Sequence, residues 1–279
     1  MFDIKRKWGG KIIMYIKVVQ SLDKYISEIK KINKKPVNKN IKLWFRGHSM
    51  NESFKLMPSL YREPYLSNSA NNEIIFLNTF KARAIPYLDK SPKAEPEWMF
   101  LMQHYRMPTR LLDWSEDAFV ALLFALKDHD ESKGENAVVW VLNPYELNKE
   151  YIWSNDLLEN AIPNITDDKE PFKQIYKMYS DRTEAGSGKL LKYPIAILPQ
   201  QSNKRIIAQK GVFTLFPPVE IKSLEDTEKA ENFLCKIEIE NTKVLEIKKD
   251  LNSLGISEVS LFPELDYIAK DILQEYISR

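Results

Sequence analysis

The stretch Gln103-His104-Tyr105-Arg106-Met107-Pro108-Thr109-Arg110-Leu111-Leu112-Asp113-Trp114-Ser115 runs almost directly into Ala118-Phe119-Val120-Ala121-Leu122-Leu123-Phe124-Ala125-Leu126. The second run is apolar on every side, so a helix built from it belongs in the interior. Ser115 is the expected N-cap, and Glu116 and Asp117 suit the positive end of the helix dipole. The first run then reads as a polar turn pressed against a buried element. Burying Arg, His and Asp is costly unless each finds a partner. Two readings stand side by side: the turn walls a site, or its ions satisfy one another, with Arg110 pairing Asp113 three residues on.

Working outward, Trp98, Leu101, Met102 and Tyr105 recur at helical spacing and predict a helix over 95–105 with that stripe buried, preceded by another over 72–84. Ile41 to Gly47 reads as a short strand delivering Arg46 and His48 to a strand-to-loop junction, a common seat for binding groups. The chain opens with a strand over 12–19 and a helix capped by Ser21, carrying Leu22, Tyr25, Ile26 and Ile29, until residues 34–40 break it. Downstream, 137–142 is a strand stopped by Asn143-Pro144. Residues 146–192 show mixed polarity and a Gly186-Ser187-Gly188 turn, which predicts an insertion or lid in one domain spanning 1–279. Strands are expected at 195–198, 205–216, 233–239 and 244–247. A last helix with Pro263 in its first turn follows, bearing Leu265, Ile268, Ala269, Ile272, Leu273 and Tyr276 on one face. Helices early and strands late predict an α+β fold: a mixed or antiparallel sheet core with an N-terminal helical portion and a C-terminal helix.

With 279 residues, 44% of them hydrophobic and 11% aromatic, the chain can bury a sizeable core and is not a disordered protein. No run of about 18 apolar residues occurs, and Met1 to Gly10 lacks an apolar signal core, so no membrane association and a cytoplasmic location are expected. The single cysteine, Cys235, lies in a half-buried strand pattern and reads as core. The net charge of +2 hides eleven Lys and Arg6 within residues 1–42, against Asp3, Asp23 and Glu28. That is a solvated basic face or a contact for nucleic acid or an acidic partner.

Several chemistries are excluded by inspection. There is no G-x-G-x-x-G, H-E-x-x-H or EF-hand loop. Gly188-Lys189 imitates the end of a phosphate-binding loop, but Thr183 replaces its first glycine and Leu190 its magnesium-binding hydroxyl. Three histidines, His48, His104 and His129, do not suggest a histidine-rich metal site, and no metal is assigned. What remains is a set of polar clusters far apart in the chain: Arg46 and His48; Gln103 and His104; Thr109, Arg110 and Asp113; and Arg205 and Gln209 before Gly211.

Together these clusters resemble the FRG-domain family. The carriers are Trp44-Phe45-Arg46-Gly47-His48, Met57-Pro58-Ser59-Leu60-Tyr61-Arg62, Gln103-His104-Tyr105, the string Pro108 to Ser115 with its Ala-rich helix, Gln209-x-Gly211-x-Phe213, and Leu261-Phe262-Pro263-Glu264-Leu265-Asp266. One departure is Arg106, where the family usually carries glycine. The family is a largely uncharacterised module of prokaryotic and phage-related proteins, which implies a defence or toxin setting. A fainter likeness, to ADP-ribosyltransferases, lies in an Arg-Gly at the end of an early strand and a polar motif opening an Ala-rich helix.

That likeness implies an NAD-dependent ADP-ribosyltransferase or NAD glycohydrolase, with NAD as substrate rather than resident cofactor. Arg46, His48, Arg110 and Ser115 would bind the nucleotide-like ligand, since a planar guanidinium fork grips two phosphate oxygens. His104, Asp113, Gln209 and Glu264 would be catalytic, a carboxylate among them steadying the oxocarbenium-like ribose while water or a protein or nucleic-acid acceptor attacks. Two alternatives remain open at this stage: a nucleic-acid-binding module or nuclease, and a non-catalytic interaction domain in which the polar clusters lock the fold.

Overall fold

The computed structural model describes residues 16–50, 54–151, 161–166, 172–180, 193–200, 204–218, 222–262 and 264–277. It is an α+β protein built on a seven-stranded mixed sheet. In chain order the elements are β1 (Ile16–Val19), α1 (Leu22–Asn33), β2 (Trp44–His48), α2 (Ser69–Ala84), α3 (Glu95–His104), β3 (Leu111–Ser115), α4 (Ala118–Lys127), β4 (Ala137–Leu142) and α5 (Pro144–Tyr151). They continue with α6 (Phe172–Ser180), β5 (Ile195–Ile197), α7 (Lys204–Ala208), β6 (Gly211–Leu215), α8 (Ala230–Phe233), β7 (Leu234–Ile239), α9 (Val244–Ser253), α10 (Glu258–Leu261) and α11 (Leu265–Ile277). The sheet order is β1-β7-β4-β2-β3-β6-β5. Only β1 and β7 run parallel; every other neighbouring pair is antiparallel.

The helix α4 decides the arrangement. Its apolar sides are covered by α1, α9 and one face of the sheet, where Val120, Leu122, Leu123 and Leu126 are buried with Phe45, Val139 and Ile237. Each such side chain contributes roughly 1.5–3 kcal/mol by leaving water. Ala121 and Ala125 let α4 approach β2 so closely that a Cβ placed on Gly47 would lie 2.0 Å from the Ala121 carbonyl oxygen. Glycine is therefore required at 47 by the helix that crosses it. The opposite sheet face is covered by an aromatic cluster around Trp44, Trp114 and Trp140. A third cluster joins Phe100 of α3 and Phe213 of β6 to Ile175 and Tyr179 of α6.

The structure corrects the sequence reading at several points. Residues 111–115 are a strand in the middle of the sheet, not a turn: Leu112 and Trp114 enter one cluster while Leu111 and Asp113 lie on the other face. Ser115 does not cap α4; Asp117 does, accepting from the Phe119 and Val120 amides at 2.9 and 3.5 Å. The expected strand over 205–216 is α7 followed by β6, divided by Lys210 in the left-handed region (φ 46°). The expected strand over 244–247 is the start of α9, because Val244, Ile247 and Leu251 are buried at helical spacing that a four-residue window does not reveal. In α3, Trp98 and Met102 are buried, but Tyr105 is 61% exposed. Within the segment expected as an insertion, Leu147, Ile165, Ile175 and Tyr179 are buried. The α11 stripe exists, with Leu265, Ile272, Leu273 and Tyr276 exposed to solvent. Residues 12–15, the Gly186 to Lys189 turn and Pro263 lie outside the described residues.

Candidate functional site

The ladder between β2 and β3 holds a single registered pair, Phe45 with Ser115. A continued ladder would pair Gly47 with Asp113. Instead the Asp113 carbonyl accepts a hydrogen bond from Arg46 Nη1 at 2.6 Å, a side chain taking the place of the strand. Beside this parting, between α3, α4 and α7, lies a hollow of about 260 Å³. Its apolar walls include Phe45, Phe100, Trp114, Phe124 and Phe213; its polar groups are Arg46, Gln103, His104, Asp113, Ser115, Arg205 and Gln209.

Arg46 is one-fifth exposed. Its Nε donates to His48 Nε2 at 3.0 Å and its Nη1 lies 3.8 Å from Asp113 Oδ2, beyond hydrogen-bond reach. Among the described residues Nη2 has no hydrogen-bond partner. Burial pushes this guanidinium down to about 10 against the pull of Asp113, with Arg62 adding to the fall. The charge is thus poorly matched. His48, 6% exposed, is held well below the ordinary histidine value of 6.5 by burial and then by Arg46 and Arg62, so it is neutral and accepts from Arg46.

Asp113 is aimed by a relay that begins in the backbone. The Leu111 amide donates to Thr109 Oγ1 at 3.1 Å, the Thr109 hydroxyl donates to Gln103 Oε1, and Gln103 Nε2 donates to Asp113 Oδ2 at 2.9 Å. Gln103 thereby holds the carboxylate off Arg46, and the Asp113 side chain stays 55% exposed. Gln103 and His104 occupy the last turn of α3. That helix ends with Met107 N donating to Met102 O at 2.9 Å and Arg106 N to Gln103 O at 3.0 Å, around a left-handed Arg106 (φ 61°). This termination favours glycine at the left-handed position, which accounts for the family's usual residue there. His104 is shifted below its ordinary value by burial and Arg205, with Glu264 opposing.

Of the eight residues assigned from sequence, Arg46, His104, Asp113, Ser115 and Gln209 line the hollow. His48 stands behind Arg46. Ser115 is spent on backbone, donating to the Gln209 carbonyl at 2.7 Å and accepting from Asp117 N at 2.9 Å. Gln209 Nε2 donates to the Leu261 carbonyl at 3.2 Å, tying α7 to the chain before α11. Glu264 does not line the hollow; it is near enough to His104 to raise it, and its Oε2 is buried with no hydrogen-bond partner among the described residues.

Arg110 is elsewhere. It is 2% exposed and does not pair with Asp113: Nε donates to Glu73 Oε1 at 2.5 Å, and Nη1 to the carbonyls of Tyr179 at 2.8 Å and Phe216 at 3.1 Å. Burial works against its charge, but Glu73, Tyr61 and Tyr176 outweigh it and hold the guanidinium above its ordinary value. Sequence reasoning did not assign Gln103, Thr109 or Arg62 to the site, and it had no signal for Glu73, which lies 37 residues from its partner. Among the described residues no group of three His, Cys, Asp or Glu side chains forms a metal cage, and no helix is long and apolar enough to cross a membrane.

Compared with known proteins, residues 41–134 match the FRG domain, so the chain carries that domain there. The match covers β2 to α4, including Arg46, Gln103 and Asp113, and stops short of the Gln209 and Leu261 motifs. No curated protein and no solved structure matches the chain.

Proposed function

Proceeding from an FRG domain whose strands part around Arg46, we propose that the hollow binds a nucleotide-like dinucleotide of the NAD type and breaks its nicotinamide–ribose bond, as an ADP-ribosyltransferase or NAD glycohydrolase. The observation that carries this reading is the under-matched guanidinium of Arg46 on the edge of an aromatic hollow. A buried cation without a full anion partner is a cost to the fold, and a phosphate oxygen pair satisfies it in the geometry a guanidinium prefers.

The hollow is a little smaller than the roughly 300–1,000 Å³ of pockets that enclose a drug-sized ligand, so it takes one ring and ribose and leaves the remaining half outside. Phe45, Phe100, Phe124 and Phe213 offer faces for a flat aromatic leaving group. Asp113, exposed and fixed by Gln103, presents negative charge to the positive ribose that develops as the glycosidic bond lengthens. The bonding pair leaves with nicotinamide, which departs neutral. Water or an acceptor nucleophile adds to the anomeric carbon and loses its proton, with His104, neutral at pH 7, as the nearest base on the α3 wall. Gln209 completes that flank, and Glu264, outside the hollow, acts on His104 through its charge. Consumption of NAD suits the defence or toxin setting that the resemblance implies.

The test is release of nicotinamide from NAD by purified protein, with and without protein and nucleic-acid acceptors, beside Arg46→Ala and Asp113→Asn. Turnover in the wild type, with both variants folded but inactive, is expected. A folded wild type that neither binds nor consumes NAD across those acceptors removes the reading.

A further inference from the structure

A second guanidinium, Arg62, belongs to the segment whose Phe54 ring lies 5.8 Å from the ring of His48, the acceptor of the Arg46 hydrogen bond. Arg62 follows the turn Ser59–Tyr61, which runs beside the lead-in to β3: the Leu60 amide donates to the Thr109 carbonyl at 3.4 Å, and the Tyr61 hydroxyl to the Pro217 carbonyl at 2.7 Å. This segment thus lies beside the residues that lead into β3 and those that follow β6. The Arg62 head is fixed, because Nε donates to the Met57 carbonyl at 2.9 Å and Nη2 donates to the same oxygen. Among the described residues no carboxylate lies within ion-pair distance of it. Glu225, whose charge it feels, uses both oxygens on the Leu56 amide at 3.2 and 3.1 Å.

The local balance is then two fixed cations, Arg46 and Arg62, neither of which has a carboxylate within hydrogen-bond reach among the described residues. Asp113 acts on both, but Gln103 holds it 3.8 Å from Arg46, and the neighbouring His48 is kept neutral. Arg62 in turn disfavours the charge on Arg46. Two guanidiniums from separate segments that repel each other, each anchored through a backbone carbonyl, are stabilised by an anion with two charged centres more than by one.

We propose that Arg46 and Arg62 form a two-pronged seat for a diphosphate, so that the ligand class is a nucleoside diphosphate conjugate rather than a nucleoside or a mononucleotide. This rests on the dinucleotide reading above. The diphosphate lies across the parted strands, with its ribose and leaving ring in the hollow and its second nucleoside outside.

The experiment is calorimetric titration of wild type, Arg62→Ala and Arg62→Lys with NAD, nicotinamide riboside and inorganic pyrophosphate. Pyrophosphate is expected to compete with NAD in the wild type. Arg62→Ala should weaken NAD by about tenfold or more while riboside affinity stays within about twofold, and Arg62→Lys, keeping the charge but not the fork, should fall between. Melting curves for each variant accompany the titrations, because Arg62 also holds the Met57 carbonyl. The inference is overturned if Arg62→Ala binds NAD like the wild type, if riboside binding falls in parallel, or if pyrophosphate does not compete in a wild type that binds NAD. A wild type that binds no NAD overturns the dinucleotide reading itself.

Discussion

Arg110 stands just ahead of β3 and Arg46 bonds to the Asp113 carbonyl within it, and the protein treats the two in opposite ways. Arg110 is sealed between Glu73 and two backbone carbonyls, its charge more strongly held than in water. Arg46 has a neutral histidine, a carbonyl and a carboxylate kept at a distance, and its charge is disfavoured. Burial alone therefore does not mark a functional arginine. The useful difference is whether the partners inside the fold complete the charge, because a group left incomplete is available to a guest.

That contrast is most sharply tested by truncating each arginine in turn. Arg110→Ala strands Glu73 in the interior and should cost about 3–5 kcal/mol in urea unfolding, whereas Arg46→Ala should stay within about 1 kcal/mol of wild type and lose ligand instead. Equal destabilisation by the two would erase the distinction. Gly47→Ala comes next. Its Cβ would meet the α4 backbone, Ala121 O at 2.0 Å and Ala125 N at 2.5 Å, so a loss of about 1–3 kcal/mol is expected in the same assay.

Acid gives a smaller effect with a definite sign. His48 has a folded-state value below its ordinary 6.5, so the unfolded chain binds the extra proton first. Its contribution is complete above about pH 6.5 and shrinks as the pH falls toward the depressed folded value, where protonation would also break the Arg46 hydrogen bond. His104 is shifted the same way and adds to the trend. Melting temperature should decline below pH 6.5, and His48→Gln, which still offers an acceptor to Arg46, should flatten part of the decline. The smallest effect is expected at the end of α3: Arg106→Gly removes a side chain from a left-handed residue and should raise stability by about 1 kcal/mol or less.

Much of the scaffold was legible because its signals are local. The Ser21 cap, the all-apolar α4 and the β4 run, buried along its whole length, need no tertiary context. Residues 111–115 misled because one exposed carboxylate in a strand otherwise buried on both faces reads as a turn when the parting of β2 from β3 is unknown. The start of α9 misled because Val244 to Ile247 is shorter than the period that identifies a helix. In the site, sequence grouped Arg46, His104, Asp113 and Gln209, which line one hollow: His104 closes α3 and Gln209 follows α7, while Arg46 and Asp113 are single charged residues inside β2 and β3. It missed Glu73 as the partner of Arg110 and the Thr109–Gln103 relay, because those depend on contacts between helix and strand that no spacing in the chain encodes. Arg106 is the opposite case, where a departure from the family's glycine points to a left-handed turn.

The most direct measurement of the central claim, that Arg46 is held for an anionic guest, is the shift in melting temperature on saturation with NAD, in wild type and in Arg46→Ala. The account predicts a clear rise in the wild type and none in the variant. No rise in the wild type, or the same rise in both proteins, contradicts it.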